Sequence, residues 1–356
     1  MTRKTVNIVS SVEDRPGTRG PSSTLSEYLQ KNGLLTTQDS TPNFLVSINH
    51  NPVQYQKFIT EVGRPNGAVL IRLEPESVYP LQYKKSVMNG YGLVITPGSV
   101  QDFLNAEKFV GWPYQYNLNP TRPNPSDPTL NSILEDPARH ELFKLENWKT
   151  RPRKLVMIAG NKVSPIKDAN YSVRRKLAKE LPNKDLEVYG PLWSGSLRKK
   201  IYHRLAVTVA NLRNGIVPHP LSIYGNLLTR YPTAHGIVAD KHLVLQETKF
   251  SLVVENSNNY VSEKVIDAMI NGSIPIYVGP NLGKVGLPAG MAIHSSGKPE
   301  EIVQILESLD SNTIDSILKS MEAFFAGPIF WGTWTESAVY EKISRQIADY
   351  FLGLPE

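Results

Sequence analysis

Short apolar runs alternate with longer, helically spaced segments along most of this chain, and few architectures accept that order. Runs rich in Val, Ile and Leu, bounded by Gly, Pro, Asn or Ser, predict strands over 5–10, 43–49, 68–73 and 92–96. A helix is expected over 22–32, with Ser22 or Ser23 as its cap and Gly33 as its stop. The alternation resumes with strand 155–159, helix 170–181, strand 186–189, helix 241–247, strand 250–255, helix 262–271 and strand 274–278. Helices over 300–309 and 313–325 follow, while 207–228 is ambiguous. Strands separated by helices imply parallel sheets, so the expected class is α/β.

At 356 residues the chain exceeds one ordinary core, and two domains are expected. A dense run of Asn, Pro and Ser over 117–137 and the charged stretch 149–154 place the boundary near residue 150. The expected division is 1–149 and 150–335, with a last helix, within 336–356, crossing back to the first domain. That helix carries Ile343, Ile347, Tyr350 and Phe351 on one side.

Composition narrows the functional classes. No segment approaches the roughly 18 apolar residues of a membrane span, and Met1 to Ser10 lack the pattern of a signal peptide. With no cysteine, disulfides and thiolate-bound metals are excluded, and a cytoplasmic location is expected. The seven histidines show no metal-ligand spacing, and no Asp-x-Asp motif occurs, so no metal or other cofactor is expected. His50 follows a strand and is a candidate for a cleft position. The net charge of +6 favours anionic partners: nucleotide phosphates, acidic glycans or the inner face of an anionic membrane. No basic stripe interleaved with aromatics points to nucleic acid. Arg198, Lys199 and Lys200, with Arg204 nearby, fit the outer face of a helix.

The stretch from Lys249 to Pro280, KFSLVVENSNNYVSEKVIDAMINGSIPIYVGP, carries the most chemistry. A buried strand ends at Glu255, a polar loop follows, and Ser262 is expected to cap a helix that opens with Glu263 and Lys264. Open α/β sheets bind ligands beyond the carboxyl ends of their strands, at junctions of this kind. A helix N-terminus suits a diphosphate, and a lysine in the first turn, unfavourable alone, makes sense beside an anion. Glu263 is suited to accept hydrogen bonds from ribose hydroxyls.

Glu255 and Glu263 are separated by seven residues, and the whole stretch resembles the donor signature of the family 10 fucosyltransferases. The matching elements are Lys249-Phe250, Glu255-Asn256-Ser257, Tyr260-Val261-Ser262-Glu263-Lys264, and Gly272-Ser273-Ile274-Pro275 to Gly279. Upstream, Ala159-Gly160-Asn161-Lys162 followed by Tyr171 to Arg175 resembles the family's strand-plus-arginine element. Val188-Tyr189-Gly190 with Trp193 resembles its Tyr-Gly turn, and Lys241 a recurring lysine. Arg72 to Ser77 resembles its glutamate loop facing the acceptor.

The resemblance implies a GT-B fold: two Rossmann-like α/β domains facing a cleft, in a bacterial or viral form without the luminal members' anchor and cysteine pairs. It implies inverting, metal-independent sugar transfer, with GDP-fucose as donor and a glycan hydroxyl of a cell-surface polysaccharide or lipopolysaccharide as acceptor. The implied general base is Glu74, with Glu76 as the alternative. The implied donor-binding residues are Arg174, Asn256, Tyr260, Ser262, Glu263 and Lys264, supported by Glu255, Arg175, Lys241 and Tyr189; Arg174 would hold the diphosphate bidentately, Arg175 being the other candidate. Two alternatives stay open: a GT-B transferase of another nucleotide sugar, and a non-catalytic binder of nucleotide sugars or glycans.

Overall fold

A computed structural model describes residues 4–10, 21–37, 42–97, 109–112, 140–182 and 185–354. The chain forms two compact units, Met1–Thr129 with Ile329–Glu356, and Leu130–Pro328.

In the first unit, strands β1 (Thr5–Ser10), β2 (Leu35–Thr36), β3 (Phe44–Ile48), β4 (Ala68–Ile71), β5 (Leu93–Pro97) and β6 (Phe109–Trp112) form one sheet. Its order is β2-β1-β3-β4-β5-β6, and every pairing is parallel. The sequence reading missed β2 and β6. The residues of β3 and β4 are buried on both faces, as in parallel sheets, so they read as unbroken apolar runs.

Alternate residues go to opposite cores. Phe44, Val46, Ile48, Val69 and Ile71 join one cluster, whereas Leu45, Ala68, Leu70 and Val94 join the other. Helices α1 (Pro21–Lys31), α2 (Pro52–Val62) and the short α3 (Lys85–Met88) belong to this unit. Asn51 caps α2 by accepting from the Gln54 amide at 3.2 Å, and Gly63 ends it at φ 68°.

The second unit holds β7 (Arg153–Ile158), β8 (Leu186–Tyr189), β9 (Ala234–Gly236), β10 (Thr248–Val254), β11 (Ile274–Val278) and β12 (Ile293–His294). They form a parallel sheet of order β12-β11-β10-β7-β8-β9. Its helices are α4 (Leu145–Lys149), α5 (Tyr171–Glu180), α6 (Leu197–Arg213), α7 (Pro220–Tyr224), α8 (Lys241–Gln246), α9 (Lys264–Ile270), α10 (Pro299–Ser308) and α11 (Ser311–Ala326). The chain runs outward from β7 through β8 and β9, then returns to place β10 against the other side of β7. The topological switch point therefore lies between β7 and β10, where doubly wound sheets bind ligands.

Residues 140–149 pack within this second unit, ahead of the expected boundary near 150. Trp148 donates from Nε1 to the Lys249 carbonyl at 2.9 Å and meets the Phe250 ring edge-on at 5.1 Å.

The last helix, α12 (Glu336–Gly353), packs into the first unit. Val339, Tyr340, Ile343, Ile347 and Phe351 are buried with Val6, Leu25, Phe44 and Val46. Phe351 stacks on Phe44 with ring centroids 4.2 Å apart, and the Tyr350 hydroxyl donates to the Asn66 carbonyl at 2.8 Å. Full burial of a side chain such as Phe351 contributes about 1.5–3 kcal/mol. Among the described residues, no helix is long and apolar enough to cross a membrane.

Candidate active site

At the switch point the loop after β10 is built around Glu255, which is fully buried. Its amide continues the ladder to the Val278 carbonyl at 2.9 Å. Its Oε1 accepts from the Ser262 amide at 2.9 Å and its Oε2 from the Ser262 hydroxyl at 2.6 Å. Lys264 donates from Nζ to Ser262 Oγ at 2.7 Å and lies 3.7 Å from Glu255 Oε2. The seven-residue spacing is thus the length of a loop that folds back onto its own first carboxylate.

Gly279 makes room for this, because a Cβ there would lie 2.8 Å from the Glu255 Cγ and 2.6 Å from the Tyr277 hydroxyl. Gly272 has φ +65°, and a Cβ there would meet the Leu142 carbonyl oxygen at 2.4 Å. Both glycines of the signature are therefore steric requirements.

Ser262 caps the helix only weakly, its Oγ accepting from the Lys264 amide at 3.4 Å. Helix α9 starts at Lys264 behind Glu263, which makes no side-chain cap, while the Ser262 hydroxyl is committed to Glu255. Lys264 also departs from expectation: it is the counter-charge of a buried carboxylate before any anion arrives.

Arg174 departs further. It is buried in α5, donating from Nε and Nη2 to the Val254 carbonyl at 3.1 and 2.6 Å, and from Nη2 to Asn256 Oδ1 at 2.8 Å. Burial pushes its guanidinium below the usual arginine value, against the opposing fields of Tyr171, Glu255 and Glu263. A fork spent on strand and loop acceptors positions Asn256 and is not presented bidentately to a diphosphate. The Asn256 carbonyl in turn accepts from the Asn170 amide at 3.0 Å, which ties the loop carrying half-buried Tyr260 to the start of α5.

The other supporting residues separate. Arg175 donates to the Lys162 carbonyl at 2.9 Å. Lys241 is ion-paired with buried Asp267 of α9. The Tyr189 hydroxyl donates to Glu187 at 2.7 Å and accepts from Arg153, the first residue of β7, at 3.1 Å, so it points away from the carboxyl ends.

Glu263 is left exposed at the mouth of this network. Crowding by the protein pushes its carboxyl upward, but Lys264, then Lys241 and Lys162, hold it below the ordinary glutamate range. Lys162 and its neighbour Asn161 follow β7, across the switch point. Lys162 is exposed, and Asn161 is buried with its Oδ1 lacking a hydrogen-bond partner. The sequence reading noted both only as part of a match; their place beside the first strand of the second unit was the available signal. Among the described residues no group of His, Asp and Glu could hold a metal ion.

In the first unit, a second constellation sits at the carboxyl ends of β3 and β4. Asn49, at φ +52°, accepts through Oδ1 from the amides of Leu73 at 2.9 Å and Glu74 at 3.1 Å. The Glu74 carbonyl accepts from Gln82 Nε2 at 2.8 Å and the Tyr83 hydroxyl at 3.2 Å. The Glu74 backbone is therefore held from both sides. After Pro75 the chain turns, with the amides of Val78 and Tyr79 both donating to the Pro75 carbonyl at 2.9 Å. Arg72 is buried, donates to Thr96 Oγ1 at 2.6 Å and lies 4.1 Å over the Tyr83 ring. His50 is buried and shares a 2.8 Å hydrogen bond with the Tyr91 hydroxyl; burial holds its pKa down at about 4, so it is neutral near pH 7.

The two-sheet architecture is shared with solved structures along nearly the whole chain. An α1,3-fucosyltransferase with GDP superimposes with a TM-score of 0.53 at 13% identity, over 100% of this chain and 92% of that one. The fold is GT-B. Anabaena HepE in complex with UDP-glucose has the same GT-B architecture, with a TM-score of 0.53 at 12% identity, over 99% of this chain and 100% of its own. In sequence, the chain is similar to the 4-galactosyl-N-acetylglucosaminide 3-alpha-L-fucosyltransferase 9 of Bos taurus, 28% identical over 144 residues, 37% of this chain and 36% of that one. It thus spans about a third of the length of that curated relative. No protein-family model matches the chain. The likeness to α1,3-fucosyltransferases read from Lys249 to Pro280 is thus joined by a likeness in fold.

Proposed function

We propose that the chain transfers a sugar, L-fucose from GDP-fucose, to a glycan hydroxyl with inversion at the anomeric carbon. The observation that carries this is the Glu255–Ser262–Lys264 network, which fixes the signature loop at the switch point and leaves Glu263 exposed among three lysines. Glu263 accepts hydrogen bonds from the donor ribose. Lys264 and Lys162 neutralise the diphosphate, with Lys162 taking the part that buried Arg174 cannot. The acceptor oxygen bonds to the anomeric carbon as its proton passes to the Glu74 carboxylate. The bond from that carbon to the diphosphate oxygen breaks, and the nucleoside diphosphate leaves with the electron pair. Fixed cations stabilise the charge that develops on the leaving group, and no divalent ion enters the step.

The similarity to the bovine fucosyltransferase supports fucose. The equally good fit of HepE with UDP-glucose favours, as a second reading, a GT-B transferase of another nucleotide sugar.

A thermal-shift screen separates the two readings. GDP-fucose at a hundred times its dissociation constant should add about 2.7 kcal/mol of stability, and UDP-glucose should add almost none. A shift with UDP-sugars alone would select the second reading, and no shift with any nucleotide sugar would sink both. Transfer should also persist in EDTA; loss restored by manganese would overturn the metal-free step.

A further inference from the structure

Helix α6 runs from the basic stretch Arg198 to Arg204, read in the sequence as the outer face of a helix, into the segment 207–228 that the sequence left ambiguous. Leu197, Ile201, Leu205, Val209 and Leu212 are all exposed, and helical geometry lines them up along one face. Tyr202, 75% exposed, flanks them. Beyond the helix, Val217 is 85% and Leu228 78% exposed. Scattered exposed apolar residues need no explanation, but a contiguous stripe does.

The charge around the stripe has one sign. From 190 to 239 the sequence holds six Lys or Arg and no Asp or Glu. Arg204 is turned inward to the Ile223 carbonyl, whereas Arg198, Lys199 and Arg213 are exposed. An apolar face bordered by cations, on a helix of 17 residues, roughly 25 Å long, suits a helix lying in a membrane interface.

We propose that α6 and the loop after it bind the surface of an anionic lipid bilayer. Leu197, Ile201, Leu205, Val209 and Leu212 enter the boundary between headgroups and acyl chains. Tyr202 sits at headgroup level, and the basic residues meet lipid phosphates, with long stems that let their charges stay in water. A second copy of the chain is a poorer occupant. Pairing two α6 faces would bring their arginines and lysines together, with no carboxylate from 190 to 239 to offset them.

Co-sedimentation of the full chain with vesicles tests this, using phosphatidylcholine alone against a mixture with about one third phosphatidylglycerol. Binding should require the anionic lipid and weaken as salt rises. Leu205→Glu with Val209→Glu should lower the partition coefficient at least about tenfold. Lys199→Glu with Lys200→Glu should lower it by about as much, and only toward anionic vesicles. Leu205, Val209 and Lys199 are exposed and Lys200 is half-buried, so both variants should keep the fold, which an unchanged melting curve would verify. Indifference to both vesicle types, or unchanged binding by the Leu205/Val209 variant, would overturn the proposal. So would a concentration-dependent dimer abolished by that same variant, which would make the face a contact between copies.

Discussion

Glu74 and Glu76 lie two residues apart, and the Glu74 backbone is clamped by Asn49 on one side and by Gln82 and Tyr83 on the other. Proton transfer rewards positional precision, so Glu74→Gln should lower kcat by about 10²–10⁴-fold with donor affinity nearly unchanged. Glu76→Gln should do far less; a dead Glu76 variant would shift the base by two residues. Lys264 has acquired a structural duty that its place in the sequence did not announce. Removing it leaves buried Glu255 without its counter-charge, so Lys264→Ala should cost roughly 3 kcal/mol of stability as well as donor affinity. Adding Glu255→Gln should restore much of the melting temperature, and an unchanged melting temperature in the single variant would contradict the network. His50 gives a pH dependence. Between its ordinary pKa of 6.5 and its folded value of about 4, the unfolded chain binds a proton that the folded chain does not. Stability contributed by neutral His50 is complete above that window and declines as pH falls through it. His50→Gln should flatten the melting curve's pH dependence between about pH 4 and 6.5; an unaltered slope would place the titration elsewhere.

Elements were legible wherever one periodicity dominated. The predicted limits of β8 and β11 coincide with those in the structure: β11 is a short apolar run and β8 alternates buried Leu186 and Val188 with Glu187 and Tyr189, and each is closed by glycine. Helix α6 was legible only over its basic first half, and Arg204, expected on the outer face, is buried: the apolar stripe faces solvent and the inward side holds Arg204 and Asn211, the reverse of the pattern that marks a core helix. Site residues followed a similar rule. The place of the loop holding Glu255, Ser262 and Lys264, between a buried strand and a helix, could be read from local spacing, whereas its pairing of Lys264 with Glu255 could not. Nor could the fate of Arg174, because its acceptors, Val254 and Asn256, lie about eighty residues away. Helix α12 was legible from its apolar stripe, and its weight in the first unit can be measured. Phe351→Ala removes a ring stacked on Phe44 and should cost about 3–5 kcal/mol. Chemical denaturation would check this, and a cost below about 1 kcal/mol would mean that the helix is peripheral to that core.

At the scale of the molecule, the strands of the second unit all lie between Arg153 and His294, whereas the first unit is assembled from both ends of the sequence. That has a consequence for birth on the ribosome. Strands β1 to β6 emerge early, but one side of their sheet waits for Val339, Ile343, Ile347 and Phe351. Translation at about 5–20 residues per second leaves that apolar face covered only in part, by Leu25 and Leu29 of α1, for roughly ten seconds or more, while everything between β6 and α12 is made. The second unit meets no such delay. Nascent chains arrested just before Glu336 should therefore carry a protease-resistant second unit behind a first unit that is still cleavable and still attractive to chaperones. Extending the arrest point until α12 clears the exit tunnel should close it.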